Sequence, residues 1–260
     1  MTPARPPATP AARAAELAAL GPYFAVEVHG PHAPVRGPWQ PLDALLGSAA
    51  ALRGRSEDVR AALAGPDGRN PELVEFRVAA SVAQLGLAAR LLAPIFGIAL
   101  ITGAAPPVDV SQLRWVPAVT SLFRLSLPEA ALAAPAPPDA GTLARDLTRS
   151  LLHGLLDGLV EAFAAMAVSR RVLWGNVGSA VNGSTTMITA SRPDLGPETV
   201  ALASALLRAG PLAGTYRGFP GTGFQRQSCC LIYRIASNAA PAFCGDCILS
   251  RRSLPRPHRP

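Results

Sequence analysis

The chain has 260 residues, a formal net charge of +7 and hydrophobic residues at 49% of its positions. At this length roughly three quarters of the unfolded surface can be buried, so a core can form without disulfide bonds, and a small disulfide-rich secreted fold is excluded. All 24 basic residues are arginines, but no helix-turn-helix, zinc-finger or RNA-binding signature accompanies them, which argues against a nucleic-acid partner.

The amino terminus shows no export signal. Residues 1–20 contain scattered prolines and charges and no continuous apolar run before a cleavage site. We therefore expect a disordered N-terminal lead on a cytoplasmic protein. Residues 79–102 are strongly apolar, but Gln84, Arg90 and Pro94 interrupt them, which favours a buried helix over a membrane span. Peripheral association with the inner face of the cell membrane is the alternative.

Residues 21–127 are predicted to form an N-terminal α+β part. Apolar alternation predicts a strand over residues 23–29. Two further alternating runs, 112–116 and 120–127, predict a small antiparallel pair.

Two helices are predicted within this part. Ser56 is expected to cap a short helix over residues 56–63, because acids follow it in the first turn. Pro71 is expected at the first position of a longer helix over residues 71–92. Pro94 is then expected to break or kink that helix.

A proline-rich linker over residues 128–141 is the predicted domain boundary. Residues 142–214 are predicted to be helical, beginning with the strongest helix of the chain, because apolar residues recur every four positions. These residues are Leu143, Leu147, Leu151, Leu155, Leu159 and Phe163.

Two more helices are expected over residues 169–188 and 196–210, followed by an irregular glycine-rich stretch over 214–223. The predicted fold class is α+β and mainly helical. Its helices surround a small antiparallel sheet, and residues 215–260 form a cysteine-rich C-terminal segment.

The four cysteines of the chain all lie in this segment. Cys229 and Cys230 are adjacent, and Cys244 and Cys247 follow after thirteen further residues. Thiolates gathered at one end of a cytoplasmic chain are typical of a metal centre.

Three chemistries are compatible with these cysteines. Structural zinc usually pairs two halves of the Cys-x2-Cys type, whereas Cys229 and Cys230 are adjacent and their side chains diverge. A cluster with two irons offers separated coordination points, so the spacing favours an iron–sulfur cluster over zinc. Disulfide pairing, with three connectivities for four cysteines, is disfavoured by the missing export signal.

The residues around the cysteines resemble a known signature. Residues 226–234 read RQSCCLIYR and residues 244–247 read CGDC; together they closely resemble the C-terminal signature of the FhuF-like ferric siderophore reductases. The stretches LWGN at 173–176 and GPYF at 21–24 are also similar. The resemblance spans most of the chain, its last fifth is the specific part, and the interval between the cysteine pairs is longer than in the family pattern.

The resemblance implies that Cys229, Cys230, Cys244 and Cys247 ligate a 2Fe-2S cluster. It implies a cytoplasmic one-electron reductase that converts siderophore-bound Fe(III) to Fe(II) and so releases the iron. An iron–sulfur electron carrier or sensor, and a zinc-stabilised binding protein without redox activity, are the alternatives.

The charge of the chain and the nucleotide-binding motifs that it lacks indicate which partners to expect. No dinucleotide-binding or phosphate-binding glycine motif is present, so the electron is expected from another protein, such as an acidic ferredoxin. Arg226 and Arg234 are candidates for contact with that donor or with the ferric siderophore. Trp174 and Asn176 are candidates for the substrate, with a tryptophan packed at a helix interface as the alternative.

Overall fold

The structure is a computed structural model that describes residues 9–65, 70–118, 122–133, 140–235 and 243–250. Helices predominate in these ranges, and the predicted mainly helical α+β class is confirmed. The helices are α1 (Pro10–Ala19), α2 (Leu42–Leu46), α3 (Ala49–Ala64), α4 (Phe76–Thr102), α5 (Ala140–Leu147), α6 (Asp157–Ala164), α7 (Arg170–Ser191) and α8 (Gly196–Leu207). The strands are β1 (Glu27–His29), β2 (Gln40–Pro41), β3 (Arg114–Trp115), β4 (Leu125–Pro128), β5 (Tyr216–Phe219) and β6 (Thr222–Arg226).

Helix α1 lies within the stretch predicted as a disordered lead, so that prediction is wrong for residues 10–19. The Thr9 side chain accepts a hydrogen bond from the Ala12 amide at 3.2 Å, and Pro10 occupies the first turn, where proline is tolerated. Leu17 and Leu20 are buried in the core. The alanine-rich interior favours the helix, since the prolines lie at or before its start. Residues 1–8 lie outside the described part of the chain.

The two helices predicted before residue 92 have different bounds. Helix α3 begins at Ala49 with Ser48 as its cap, and Ser56 lies inside it, where its hydroxyl donates to the Leu52 carbonyl. Pro71 opens only a short 3-10 helix, and α4 continues through Pro94 to Thr102. Pro94 was expected to break or kink the helix; the helix is not broken there, because packing around a buried helix outweighs local propensity.

Arg90 on α4 holds three segments together from inside the core. Its guanidinium donates to the carbonyl oxygens of Phe123 at 2.9 Å, Tyr23 at 2.8 Å and Ala25 at 2.6 Å. Burial lowers the pKa of Arg90 to about 10, so it stays charged at neutral pH. The arginine that interrupts the apolar stretch thus satisfies carbonyl groups of the segments that precede β1 and β4.

The Arg90→Ala variant should lose about 3 kcal/mol or more in the free energy of unfolding, because each buried carbonyl left without a donor costs about 1–3 kcal/mol. Urea denaturation measures this loss. Arg77→Ala is the matched control, since Arg77 lies exposed on the same helix in an ion pair with Glu75, and it should change stability little. Equal stability of the two variants would contradict the role given to Arg90.

The sheet has the strand order β1-β4-β3-β2. The predicted antiparallel pair is confirmed as β3 and β4, with Arg114 opposite Ser126. The first predicted strand is shorter than expected, and β1 pairs parallel to β4, so the sheet is mixed rather than purely antiparallel.

The leucine-rich helix is present, but its middle is a π-helix over Thr148–Leu156 between α5 and α6. Residues four apart drift by about 40° per step around a 3.6-residue helix. The wider turns of a π-helix offset part of this drift. Leu147, Leu151, Leu155, Leu159 and Phe163 are consequently all buried in the core.

The predicted boundary at 128–141 does not divide the core. One cluster of buried side chains includes Leu17 and Leu127 before it and Leu159 and Leu206 after it. Helix α4 packs against α3 and also against α6 and α7. Residues 134–139 of this linker lie outside the described ranges.

Only α4, among the described helices, is long and apolar enough to cross a membrane. In its most apolar window 67% of the residues are buried inside the fold. This burial is what a core helix requires, and it agrees with the expectation of a buried helix.

Candidate metal centre

The segment that carries the cysteines begins with a hairpin. Strands β5 and β6 pair antiparallel where the sequence predicted irregular structure. Gly218, Gly221 and Gly223 have φ angles of 80°, 80° and 73°, a region that glycine adopts without strain. The glycines that suggested irregular structure instead lie in this hairpin, Gly221 at its turn and Gly218 and Gly223 in the adjoining strands. Strand β6 ends at Arg226, three residues before Cys229.

The structure brings the four cysteines into one neighbourhood. Cys230 and Cys247 are buried, whereas Cys229 and Cys244 are half-buried. The hydrogen bond between Cys244 and Cys230 lowers the pKa of Cys230 and raises that of Cys244. Burial raises the pKa of the Cys229 thiol, which also interacts electrostatically with Cys247.

Backbone amides point at two of the sulfurs. The Leu231 amide donates to Cys229 Sγ at 3.3 Å, and the Leu249 amide donates to Cys247 Sγ at 3.3 Å. Leu231 has a φ of 73°, an uncommon conformation for a leucine. This turn directs its amide back at the first cysteine, and amide–sulfur bonds of this kind stabilise thiolate ligands and tune cluster potentials.

Asn182 on α7 binds both parts of the C-terminal segment. Its amide nitrogen donates to the Asp246 carboxylate at 2.9 Å, and its oxygen accepts from the Gly221 amide at 2.9 Å. Burial raises the pKa of Asp246. Asp246 thus anchors the turn between Cys244 and Cys247 on the helical body.

A second attachment links Cys230 to α4. The Ser81 hydroxyl donates to the Cys230 carbonyl at 3.0 Å, and the Asn176 amide donates to the Ser81 carbonyl at 2.9 Å and to Gln84 Oε1 at 2.8 Å. Asn176 is fully buried. Its role in this structure is to join α7 to α4 beneath the cysteines.

Arg226 is buried beside the cysteines, with 1% of its surface exposed. Its Nη2 donates to the Val172 carbonyl at 3.2 Å, while Nε and Nη1 have no hydrogen-bond partner among the described residues. Its backbone amide donates to the Asp246 carbonyl at 3.0 Å. A cation is therefore enclosed where it interacts electrostatically with Cys229, Cys230 and Cys244, which become anions when they bind metal.

The four predicted substrate or partner residues occupy different positions. Trp174, Asn176 and Arg226 are buried, so none of them presents its side chain at the surface of this structure. Arg234 is exposed and pairs with Glu75 at 2.6 Å. Only Arg234 is placed where a partner could reach it directly.

The four cysteines have the chemistry of the ligand set of a 2Fe-2S cluster, and equally of a structural zinc site. Within the described ranges, no three His, Cys, Asp or Glu side chains are grouped closely enough to hold one metal ion. A 2Fe-2S cluster held by four thiolates is anionic. The two amide–sulfur bonds and the enclosed Arg226 supply the surroundings that such an anionic group needs.

The sequence did not single out Asn182 or Gly175 as site residues, although the attachment of the C-terminal segment to α7 depends on both. The missed signal is the polar series Asn176, Ser179 and Asn182, spaced by three residues along an otherwise buried helix. Such a series on a core-facing side indicates that the helix binds backbone or polar groups there. The basic residues after 250 lie outside the described part of the chain.

No protein-family model matches this chain, and no curated protein matches it either.

The Asn182→Ala variant is expected to weaken the attachment of the C-terminal segment, because it removes the hydrogen bonds to Asp246 and Gly221. The free energy that holds the segment on the body should fall by about 1–3 kcal/mol. Limited proteolysis should cleave this segment sooner than in the unmodified protein while α4 and α7 stay protected. Ser191→Ala, at an exposed position of the same helix, is the control. Digestion of Asn182→Ala at the unmodified rate would count against this attachment.

Proposed function

We propose that the protein is a one-electron reductase of ferric siderophores, with a 2Fe-2S cluster held by Cys229, Cys230, Cys244 and Cys247. The observation that carries the proposal is the set of four neighbouring thiols, with amide–sulfur bonds at Cys229 and Cys247 and a buried guanidinium beside them. The resemblance of the surrounding residues to the FhuF-like signature supports the same assignment.

The exposure of the cysteines suits electron transfer to an external acceptor. Cys229 and Cys244 are half-buried, while Cys230 and Cys247 face the helical body. A cluster in this position supplies one electron at a time. Siderophore oxygens hold the hard Fe(III) ion much more tightly than Fe(II), so a single electron is enough to labilise the iron.

The surface near the cysteines supports exchange with a partner protein. Four of the seven large apolar side chains exposed in the described ranges lie close to the cysteines in the chain: Phe219, Phe243, Ile248 and Leu249. Residues 217–260 carry seven arginines and one acid, giving a side-chain charge of +6. We therefore propose an acidic electron donor such as a ferredoxin, in the cytoplasm or at the inner face of the membrane.

Two other functions use the same residues. An electron carrier or sensor would hold the same cluster without a preferred acceptor. A zinc-stabilised binding protein would use the Cys244–Cys247 half, whose Leu249 amide bond to sulfur also suits zinc. The experiments below separate these functions from the reductase.

Protein purified without oxygen should be red-brown and contain two irons and two sulfides per chain, as a 2Fe-2S cluster requires. The Cys247→Ser variant should lose the visible spectrum and keep its far-ultraviolet helical signal, because the helices and nearly all of the apolar core precede the segment. Adding a ferric siderophore to the reduced protein should restore the oxidised spectrum and release Fe(II). Colourless protein with one zinc per chain would refute the proposal, and reoxidation at the same rate by any ferric chelate would favour the carrier.

The rate of reduction by an acidic protein donor should fall as ionic strength rises, because the basic segment steers the encounter and salt screens it. Stopped-flow absorbance with reduced flavodoxin, an acidic one-electron donor, measures this rate. Dithionite, a small reductant, and a neutral ferric siderophore acceptor serve as controls. A flavodoxin rate that does not change with salt would contradict the charge-based choice of donor.

A further inference from the structure

The surroundings of Arg226 need an explanation beyond the ligand set itself. Its side chain is enclosed, and two of its three guanidinium nitrogens lack a partner among the described residues. Burying a charge without a compensating anion is strongly unfavourable. A residue of this kind persists where an anion is bound beside it.

The described residues do not supply that anion as an ion pair. Asp246 is the only acid after residue 217, and its carboxylate is hydrogen-bonded to Asn182. Arg226 forms no salt bridge within the described ranges; its amide donates to the Asp246 carbonyl, and its charge interacts electrostatically with the Asp246 carboxylate. A single carboxylate outside ion-pair distance balances this charge only in part. The other groups near Arg226 that can carry negative charge are the thiols of Cys229, Cys230 and Cys244, which also interact electrostatically with it.

Helix α7 is shaped to hold this guanidinium in place. A Cβ atom on Gly175 would lie 2.1 Å from Ser228 Oγ and 3.1 Å from Arg226 Nη2. With Ser228 and Arg226 in these positions, a side chain at residue 175 would overlap the Ser228 hydroxyl, so glycine allows the chain before Cys229 to lie directly on the helix. Nη2 also lies 3.5 Å from Ser228 Oγ and donates to the Val172 carbonyl.

We propose that Arg226 is the internal counter-charge of the four-cysteine centre and that Gly175 positions it. The inference builds on the proposed ligand set, since four thiolates with two ferric ions and two sulfides carry a net charge of about −2. Four thiolates on one zinc ion also sum to about −2. The balancing role therefore holds for either metal, and its failure can be told apart from failure of the reductase proposal.

The first test compares the stabilities of metal-loaded and metal-free protein. In the metal-free protein Arg226→Met removes an uncompensated buried cation, so the melting temperature should rise by at least about 2 °C. In the loaded protein the same change removes the counter-charge, so the melting temperature should fall and a chelator should strip the metal faster. A purely structural arginine would lower both melting temperatures.

Arg226→Gln repeats the comparison with hydrogen-bonding groups kept and the charge removed, so the test does not depend on a single variant. Arg217→Met is the matched control, because Arg217 lies exposed on the neighbouring strand β5, and it should leave both melting temperatures unchanged. Loss of stability in both forms of both Arg226 variants would overturn the proposal.

The second test measures the midpoint potential of loaded, iron-containing protein by spectroelectrochemical titration. Reduction adds negative charge beside Arg226, so Arg226→Gln should lower the potential by about 59 mV or more, which is a tenfold change in the reduction equilibrium. Arg226→Lys keeps the charge and should retain most of the wild-type potential. An equal potential in wild type and Arg226→Gln would overturn the role.

The third test addresses Gly175. Gly175→Ala should displace Ser228 and Arg226 and reduce the fraction of chains that retain metal on purification. Adding Ser228→Ala removes the atom at 2.1 Å and should recover most of the loss. Failure of the second substitution to recover metal content would show that Gly175 does not act through this contact. Should the purified protein hold zinc, the reductase proposal fails, but the stability comparison still tests the counter-charge.

Discussion

A guanidinium enclosed within a protein has to be balanced, and in this chain the balance involves residues far apart in sequence. Arg226 ends a hairpin, lies on α7 at a glycine and is followed by the first cysteine pair. The turn with the second cysteine pair returns to it, because the Asp246 carbonyl accepts the Arg226 amide. The described part of the C-terminal segment is therefore linked to the place where one positive charge is buried.

Helix α7 provides the platform for this arrangement. On one side it packs against α4 in the core, and along its polar series it binds Ser81, Asp246 and Gly221 through Asn176 and Asn182. These contacts are specific hydrogen bonds between buried groups, which fix geometry more narrowly than apolar packing. A rigid helix can thus hold a segment whose described residues after β6 contain one short 3-10 helix, Ile232–Ile235.

Much of the architecture was predictable from local patterns. The leucine spacing indicated the helix through Phe163, and apolar alternation indicated β3 and β4. Predictions from local patterns were wrong where contacts between residues distant in sequence determine the structure. Pro94 lies inside α4 because the helix is packed on most sides, and α1 forms because Leu17 enters a core that the first twenty residues do not reveal.

The candidate site also has features that the sequence predicts and features that it does not. The spacing of the four cysteines indicated a metal centre, because ligand chemistry is local to the residues that supply it. The burial of Asn176 and Arg226 was not predictable, since polar residues are usually exposed and only the packing of α4 and α7 encloses them. In the sequence, Gly175 was only one residue of the LWGN stretch at 173–176 that is similar to the family's sequences. Its steric role depends on a chain segment more than fifty residues away.

Within the described residues, the C-terminal segment is joined to the body mainly by polar contacts, and Phe224 is among the buried side chains of the shared apolar core. Regions held by few contacts open at lower free energy than the core around them. If the proposed cluster is inserted after synthesis, the helical body can fold first and leave the cysteines accessible. Under the proposed function, the incoming inorganic group would then complete the attachment of this segment to the body.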